Sequence, residues 1–213
     1  MKFFIDTANL EQIKEAATLG VLDGVTTNPS LMAKEGIKGE AAVLKHYVDI
    51  CNLVDGPVSA EVLSVDFEGM VREGEALAKL HKNIVVKIPM IKEGIKAIKY
   101  FSDKGIKTNC TLVFSAGQAL LAAKAGASMV SPFIGRIDDS NWDGVQLIEQ
   151  IVQVYENYGF GTEILAASIR SPLHIVQCAE AGADIATCPL SSIEGLFKHP
   201  LTDIGLAQFL MDA

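Results

Sequence analysis

The chain alternates between two periodicities. Short runs rich in Val, Ile, Phe and Thr give way each time to longer stretches in which apolar residues return at helical spacing. These runs predict eight strands: Phe3 to Asp6, Gly24 to Thr27, Val58 to Val62, Ile84 to Ile88, Thr108 to Leu112, Met129 to Phe133, Ile164 to Ile169 and Ile185 to Cys188. Points near the strand ends, from Asp6 to Cys188, recur at a mean spacing of about 26 residues, the size of a β-loop-α-loop unit. Helix starts follow the strands. Asn9 with Gln12 and Ser115 with Gln118 have capping-box spacing, and Ser171-Pro172 is a cap followed by a first-turn proline. Ala-Gly-Ala recurs at Ala125 to Ala127 and Ala181 to Ala183, where glycine suits a helix C-terminus ahead of the next strand.

Eight alternating units without a Pro/Gly/Ser-rich linker predict one α/β domain over residues 1–213, a parallel eight-stranded (β/α)8 TIM barrel. The alternative, an open doubly wound sheet, would carry a glycine-rich phosphate turn after its first strand. Asp6-Thr7-Ala8-Asn9-Leu10 has no glycine, and no dinucleotide or P-loop motif occurs elsewhere. Leu201 to Met211 reads as an amphipathic C-terminal helix whose Leu201, Leu206, Phe209 and Leu210 are available to pack on the barrel or on a neighbouring subunit.

Composition narrows the function classes. With 49% hydrophobic and 21% charged residues the chain is too apolar for intrinsic disorder. Eighteen basic against 26 acidic side chains leave a formal charge of −8, which argues against general binding to nucleic acid or anionic membrane. An anionic ligand therefore needs local positive groups. No run is long and apolar enough for a membrane span, and Asp6 and Asn9 interrupt the first residues, so the expectation is a cytoplasmic protein. Four dispersed cysteines suggest reduced thiols, and four dispersed histidines offer no metal-binding spacing. The histidines, the cysteines and Trp142 read as packing or surface residues, and the acidic run from Glu68 to Glu75 as a solvated helix face.

Polar residues on strands carry the chemistry. In a closed parallel barrel both strand faces are covered, and active sites sit at the C-terminal ends. Period-two alternation places Asp6, Thr26 with Asn28, Ser59 with Glu61, Lys87, Asn109 with Thr111, Ser131 with Phe133, and Ser168 with Arg170 on faces directed to one mouth. Lys87 stands in Ile-Val-Val-Lys-Ile-Pro. It is either half of an internal ion pair with Glu61 or Asp6, or an amine that burial disposes to lose its proton and attack a carbonyl as an imine-forming nucleophile. Glu61 and Asp6 can serve the proton transfers such chemistry needs, or can simply partner Lys87 and loop amides. Arg136, Ser168, Arg170 and the helix start at Ser171-Pro172 suggest a phosphate site, with pairing of Arg136 to Asp138 or Asp139 as the plainer alternative.

At these residues the sequence resembles the small single-domain transaldolases and their fructose-6-phosphate aldolase relatives, from Phe3 to about Leu210. The carriers are Asp6-Thr7-Ala8, Gly24-Val25-Thr26-Thr27-Asn28-Pro29-Ser30, Val86-Lys87-Ile88-Pro89, Thr108-Asn109-Cys110-Thr111, Ser131-Pro132-Phe133-Ile134-Gly135-Arg136-Ile137-Asp138 and Ala166-Ala167-Ser168-Ile169-Arg170. The resemblance implies a cofactor-free enzyme of the pentose phosphate pathway. Lys87 would be the Schiff-base lysine, Asp6 the acid/base of C–C cleavage, Glu61 the activator of a catalytic water and Thr111 its holder. Asn28 and Asn109 would orient a dihydroxyacetone unit, with Ser131 beside it and Phe133 as a wall. Arg136, Ser168 and Arg170 would bind substrate phosphate, making sugar phosphates the partners, and the subunits would assemble as homo-oligomers, often decamers.

Two positions divide the group. The aldolase relatives carry Gln where this chain has Glu61 and Tyr where it has Phe133, so the resemblance favours transfer of the three-carbon unit to an aldose phosphate over its release. The rival expectations are the aldolase (lyase) activity and a non-catalytic sugar-phosphate-binding barrel. Cys110 is expected to point outward from the barrel axis.

Overall fold

A computed structural model describes residues 1–213. The strands are β1 (Lys2–Asp6), β2 (Leu22–Thr26), β3 (Val58–Glu61), β4 (Ile84–Pro89), β5 (Thr108–Val113), β6 (Met129–Pro132), β7 (Glu163–Ala166) and β8 (Ile185–Cys188). Between them lie α1 (Leu10–Thr18), α2 (Pro29–Lys34), α3 (Glu40–Cys51), α4 (Phe67–Ala78), α5 (Lys92–Asp103), α6 (Ala116–Lys124), α7 (Ile134–Asp138), α8 (Gly144–Tyr158) and α9 (Pro172–Glu180). After β8 come α10 (Leu190–Gly195) and α11 (Pro200–Asp212). Every strand pairs in parallel with its sequence neighbours, and β8 closes on β1. The expected (β/α)8 barrel is the observed fold.

The helix starts follow from their caps. Asn9, Ser115 and Ser171 accept hydrogen bonds from the backbone amides of Gln12, Gln118 and His174. The reciprocal half of each capping box is absent. Gln12 accepts from the Thr7 hydroxyl at 2.8 Å, and Gln118 accepts from the Phe114 amide at 2.7 Å, one residue before the cap. Both Ala-Gly-Ala returns end helices with glycine in the left-handed region, at φ 88° for Gly126 and 91° for Gly182.

Two apolar layers hold the barrel. The outer one fills the space between sheet and helices and includes Ile5, Val25, Val86, Ile88 and Cys110, so Cys110 does point away from the axis. The inner one, Phe4, Val85, Met129, Leu165 and Ile185, is almost wholly excluded from solvent. It seals the N-terminal end of the barrel, and each of these side chains contributes about 1.5–3 kcal/mol by leaving water. Above that floor the interior turns polar.

Three sequence expectations need correction. β7 ends at Ala166, and Ser168 lies beyond it with φ 59°, so Ser168 and Arg170 are loop residues and not an inward strand face. The acidic run on α4 is not uniformly solvated. Glu73 accepts hydrogen bonds from the Leu63 and Ser64 amides and the Ser64 hydroxyl, and Glu75 accepts from Tyr100 and Lys104. Burial works against the Glu73 charge, but those donors and Arg72 outweigh it and hold its carboxyl below the usual range. Finally, α11 buries none of its residues against this chain. Its apolar side chains are spread round the helix and not gathered on one stripe, and Leu201, Ile204, Phe209 and Leu210 are at least 64% exposed.

Candidate active site

The polar half of the barrel opens as a cavity of about 100 Å³ at the C-terminal ends of the strands. Asp6, Asn28, Lys87, Ser131 and Phe133 line it together, on the faces that the strand pattern directs to this mouth, and Arg136 on α7 and Ser168 in the loop after β7 join them. Leu165, Ala167, Thr26 and Thr187 complete the wall. Thr187, one residue before the end of β8, is a site residue that the strand pattern did not single out. The signal was its two-residue spacing from Ile185, which faces the axis.

Lys87 is central. Its β4 neighbours are fully buried, and Lys87 itself is 5% exposed. β3 and β4 pair in register with Glu61 opposite Lys87, and the carboxylate Oε2 lies 3.0 Å from Nζ. That approach is off the hydrogen-bonding direction, so Oε2 has no hydrogen-bond partner in the chain. Nζ instead donates to the Thr27 carbonyl at 3.1 Å. Of the two expected ion-pair partners, Glu61 is therefore the one in contact.

Asp6 reaches the cavity from the end of β1. Thr26 donates its hydroxyl hydrogen to Asp6 Oδ1 at 2.7 Å, and because a hydroxyl carries one hydrogen, Thr187 donates in turn to Thr26 at 2.6 Å. Burial raises the Asp6 carboxyl above its usual range against the opposing pull of Thr26, Lys87 and Lys34. The site thus holds one carboxylate beside the amine and another made more basic by desolvation.

A second polar chain crosses the barrel lower down. Ser131 donates to Asn109 Oδ1 at 2.7 Å, and Asn109 Nδ2 donates to Ser59 Oγ at 3.1 Å. Asn109 and Thr111 do not line the open cavity; Asn109 is wholly buried and Thr111 is 1% exposed. The Thr111 hydroxyl makes no hydrogen bond within the chain. Next to it Leu112 adopts φ 60°, where the β5–β6 register shifts between Cys110 and Val113, a bulge of the kind that re-aims side chains beside active sites. Asn28 caps α2 through Oδ1, accepting from the Leu31 amide at 3.0 Å, which leaves its NH2 group for the cavity.

The cationic rim is split. Arg136 lines the cavity with its guanidinium 4.9 Å from the centre of the Phe133 ring, a cation–π contact. It does not pair with Asp138 or Asp139. Arg170 does not line the cavity; its Nη2 donates to Asp139 Oδ2 at 2.7 Å. Gly135 brings the two segments together, since a Cβ there would lie 2.1 Å from the Ser168 carbonyl oxygen and 2.7 Å from Arg170 Nε. His174 ties the same corner: Nδ1 accepts from the Arg170 amide at 3.2 Å, so Nε2 carries the hydrogen and faces Asp138 at 3.2 Å. His46 is likewise structural, donating to the Ala8 carbonyl at 2.7 Å.

Glu61 does not line the cavity that holds Lys87 but borders a different one. Between α3 and α4 runs a groove of about 490 Å³ lined by Glu61, Tyr47, Val43, Leu44, Leu63, Ala76 and neighbours. The Glu61 amide donates to the Tyr47 hydroxyl at 3.2 Å. Tyr47 is buried, and burial pushes its phenol up to about 12. No sequence signal links a helix tyrosine to a residue on the next strand.

Comparison with known proteins gives the fold and the family. In fold the chain is similar to a thiamine phosphate pyrophosphorylase from Pyrococcus furiosus, with a TM-score of 0.62 over 88% of this chain and 85% of that one. At 16% identity this speaks for the barrel alone. It is 71% identical over 212 residues to proteins named probable transaldolase from Phocaeicola vulgatus and Flavobacterium psychrophilum, covering 100% of this chain and 97% of each relative. The family model for transaldolase/fructose-6-phosphate aldolase matches residues 3–212. A barrel with a buried lysine beside Glu61 and in one cavity with Asp6, matched over nearly its full length by that model, belongs to the transaldolase/fructose-6-phosphate aldolase family.

Proposed function

We propose that the chain is a transaldolase, moving a dihydroxyacetone unit from a ketose phosphate to an aldose phosphate through an imine on Lys87. The donors are sedoheptulose 7-phosphate or fructose 6-phosphate, and the acceptors glyceraldehyde 3-phosphate or erythrose 4-phosphate, a reaction of the pentose phosphate pathway. The carrying observation is the buried Lys87 amine 3.0 Å from Glu61, in one cavity with Asp6.

Glu61 takes a proton from the Lys87 ammonium, and the free amine adds to the ketose carbonyl. Returned to the carbinolamine oxygen, that proton lets water leave and the imine form, with the free Thr111 hydroxyl suited to hold the water. Asp6, fixed by Thr26, accepts the C4 hydroxyl proton. The C3–C4 bond breaks, its electrons pass into the protonated imine, and an enamine remains while the aldose phosphate leaves. The acceptor aldehyde then draws those electrons back, and Asp6 returns the proton to its oxygen. Because the lysine imine is the electron sink, the scheme uses no cofactor. Asn28, Asn109 and Ser131 supply hydrogen bonds for the dihydroxyacetone unit, Phe133 a wall, and Arg136, Ser168 and Arg170 the phosphate contacts.

Borohydride reduction in the presence of fructose 6-phosphate is expected to attach the sugar to Lys87; a label elsewhere, or none, overturns the mechanism. Steady release of dihydroxyacetone from fructose 6-phosphate without an acceptor would assign the aldolase activity instead. The reading includes cytoplasmic localisation, in keeping with the absence of any helix long and apolar enough to cross a membrane. It also includes homo-oligomerisation, as decamers, with α11 covered by a second copy.

A further inference from the structure

We infer that the groove between α3 and α4 is a separate route by which water reaches and leaves the Lys87 imine, so that solvent exchanges behind the sugar and not past it. The inference rests on the Schiff-base reading above. Lys87 lines the mouth cavity and not the groove, whereas Glu61 lines the groove and not the mouth cavity. Amine and carboxylate meet at 3.0 Å, so Glu61 touches both the groove and the reacting nitrogen.

The chemistry moves water at two steps. Imine formation expels one water, and release of the product consumes one: water adds to the imine carbon, the C–N bond breaks, the ketone keeps the water's oxygen, and its protons end on the amine and Glu61. Through these steps the mouth is occupied by the sugar whose carbonyl is reacting, and the barrel floor is closed by Phe4, Val85, Met129, Leu165 and Ile185. The groove, at about 490 Å³ against about 100 Å³ for the mouth cavity, opens on the other side of Glu61. Its polar lining includes Glu61 and Tyr47, joined by the hydrogen bond from the Glu61 amide to the Tyr47 hydroxyl, and these two groups can pass a water inward by hydrogen bonds.

The test follows oxygen. In water enriched in oxygen-18, the ketone oxygen of fructose 6-phosphate exchanges each time the imine forms and hydrolyses. Ala76→Trp fills the groove from the exposed face of α4, and Val43→Phe does so from α3; Lys79→Trp, on α4 outside the groove, is the control. In full-length variants with parental circular dichroism, both groove substitutions are expected to slow exchange at least 10-fold, while the amount of adduct trapped by borohydride at equilibrium and the KM for fructose 6-phosphate stay within two-fold. Blocking a path changes a rate and not an equilibrium. Exchange within two-fold of the parent in both variants overturns the route while the Lys87 reading stands. An absence of both adduct and exchange in the parent overturns the Schiff-base reading, and the route with it.

Discussion

Asp139 holds the guanidinium of Arg170 at 2.7 Å, so the group expected to grip substrate phosphate is already gripped by a carboxylate. Both side chains are more than half exposed, at 52% and 61%, where such a pair is worth about 0.2–1 kcal/mol. A phosphate seated at the rim must take Arg170 from Asp139 and sit close to that negative charge. Asp139→Asn is therefore expected to lower the KM for phosphorylated substrates by about 2- to 5-fold with kcat little changed. A raised KM would mean that Asp139 orients Arg170 instead of competing for it.

Asp6 makes an opposite trade. Its carboxyl is raised by burial, so the folded state favours the protonated form. That preference contributes stability below the unfolded value near 3.8 and is lost as pH rises through the higher folded value. At neutral pH the buried charge is a cost. Asp6→Asn should stabilise the fold by about 1 kcal/mol at pH 7, an advantage that grows across the window above 3.8 and disappears below it. The same variant should lose about 100-fold or more in turnover. Thermal melts between pH 3 and pH 8, set beside the transfer assay, check both halves.

Gly135 is the hinge on which the phosphate corner is assembled. A methyl group there would meet the Ser168 carbonyl at 2.1 Å, too close for the β7–α9 loop to stay in place. Gly135→Ala should destabilise the protein by about 1–3 kcal/mol and raise the KM for fructose 6-phosphate about 10-fold. Unphosphorylated fructose as donor, which needs no grip from Arg136 or Ser168, should be affected less.

The helix α11 predicts an assembly. Thirteen residues with no buried side chain do not hold a helix by local propensity alone, so a neighbouring surface is expected to cover Leu201, Ile204, Phe209 and Leu210. The parent should sediment as an oligomer, and Ile204→Asp with Phe209→Asp should shift it toward smaller species.

Legibility from the sequence followed distance along the chain. Strand positions, helix caps and the inward faces of β1 to β6 could be read because each rests on residues one to four apart. Ser168 and Arg170 were misplaced because nothing in Ala166-Ala167-Ser168-Ile169-Arg170 announces a left-handed φ at Ser168. The Lys87–Glu61 contact was foreseeable only as one of two options, since register between strands decides it. The links from Glu61 to Tyr47 and from Arg170 to Asp139 join separate elements and had no local signature. For α11, apolar content suggested a buried stripe, yet the angular spread of those residues leaves none.

The apolar floor has a kinetic meaning. With Phe4, Val85, Met129, Leu165 and Ile185 closing the far end, the proposed transfer has donor and acceptor sugars share the opening beneath Arg136. The first aldose must clear that doorway before the second can take its place. Donor and acceptor then exclude one another, and each should inhibit competitively at high concentration, giving parallel double-reciprocal plots that bend upward.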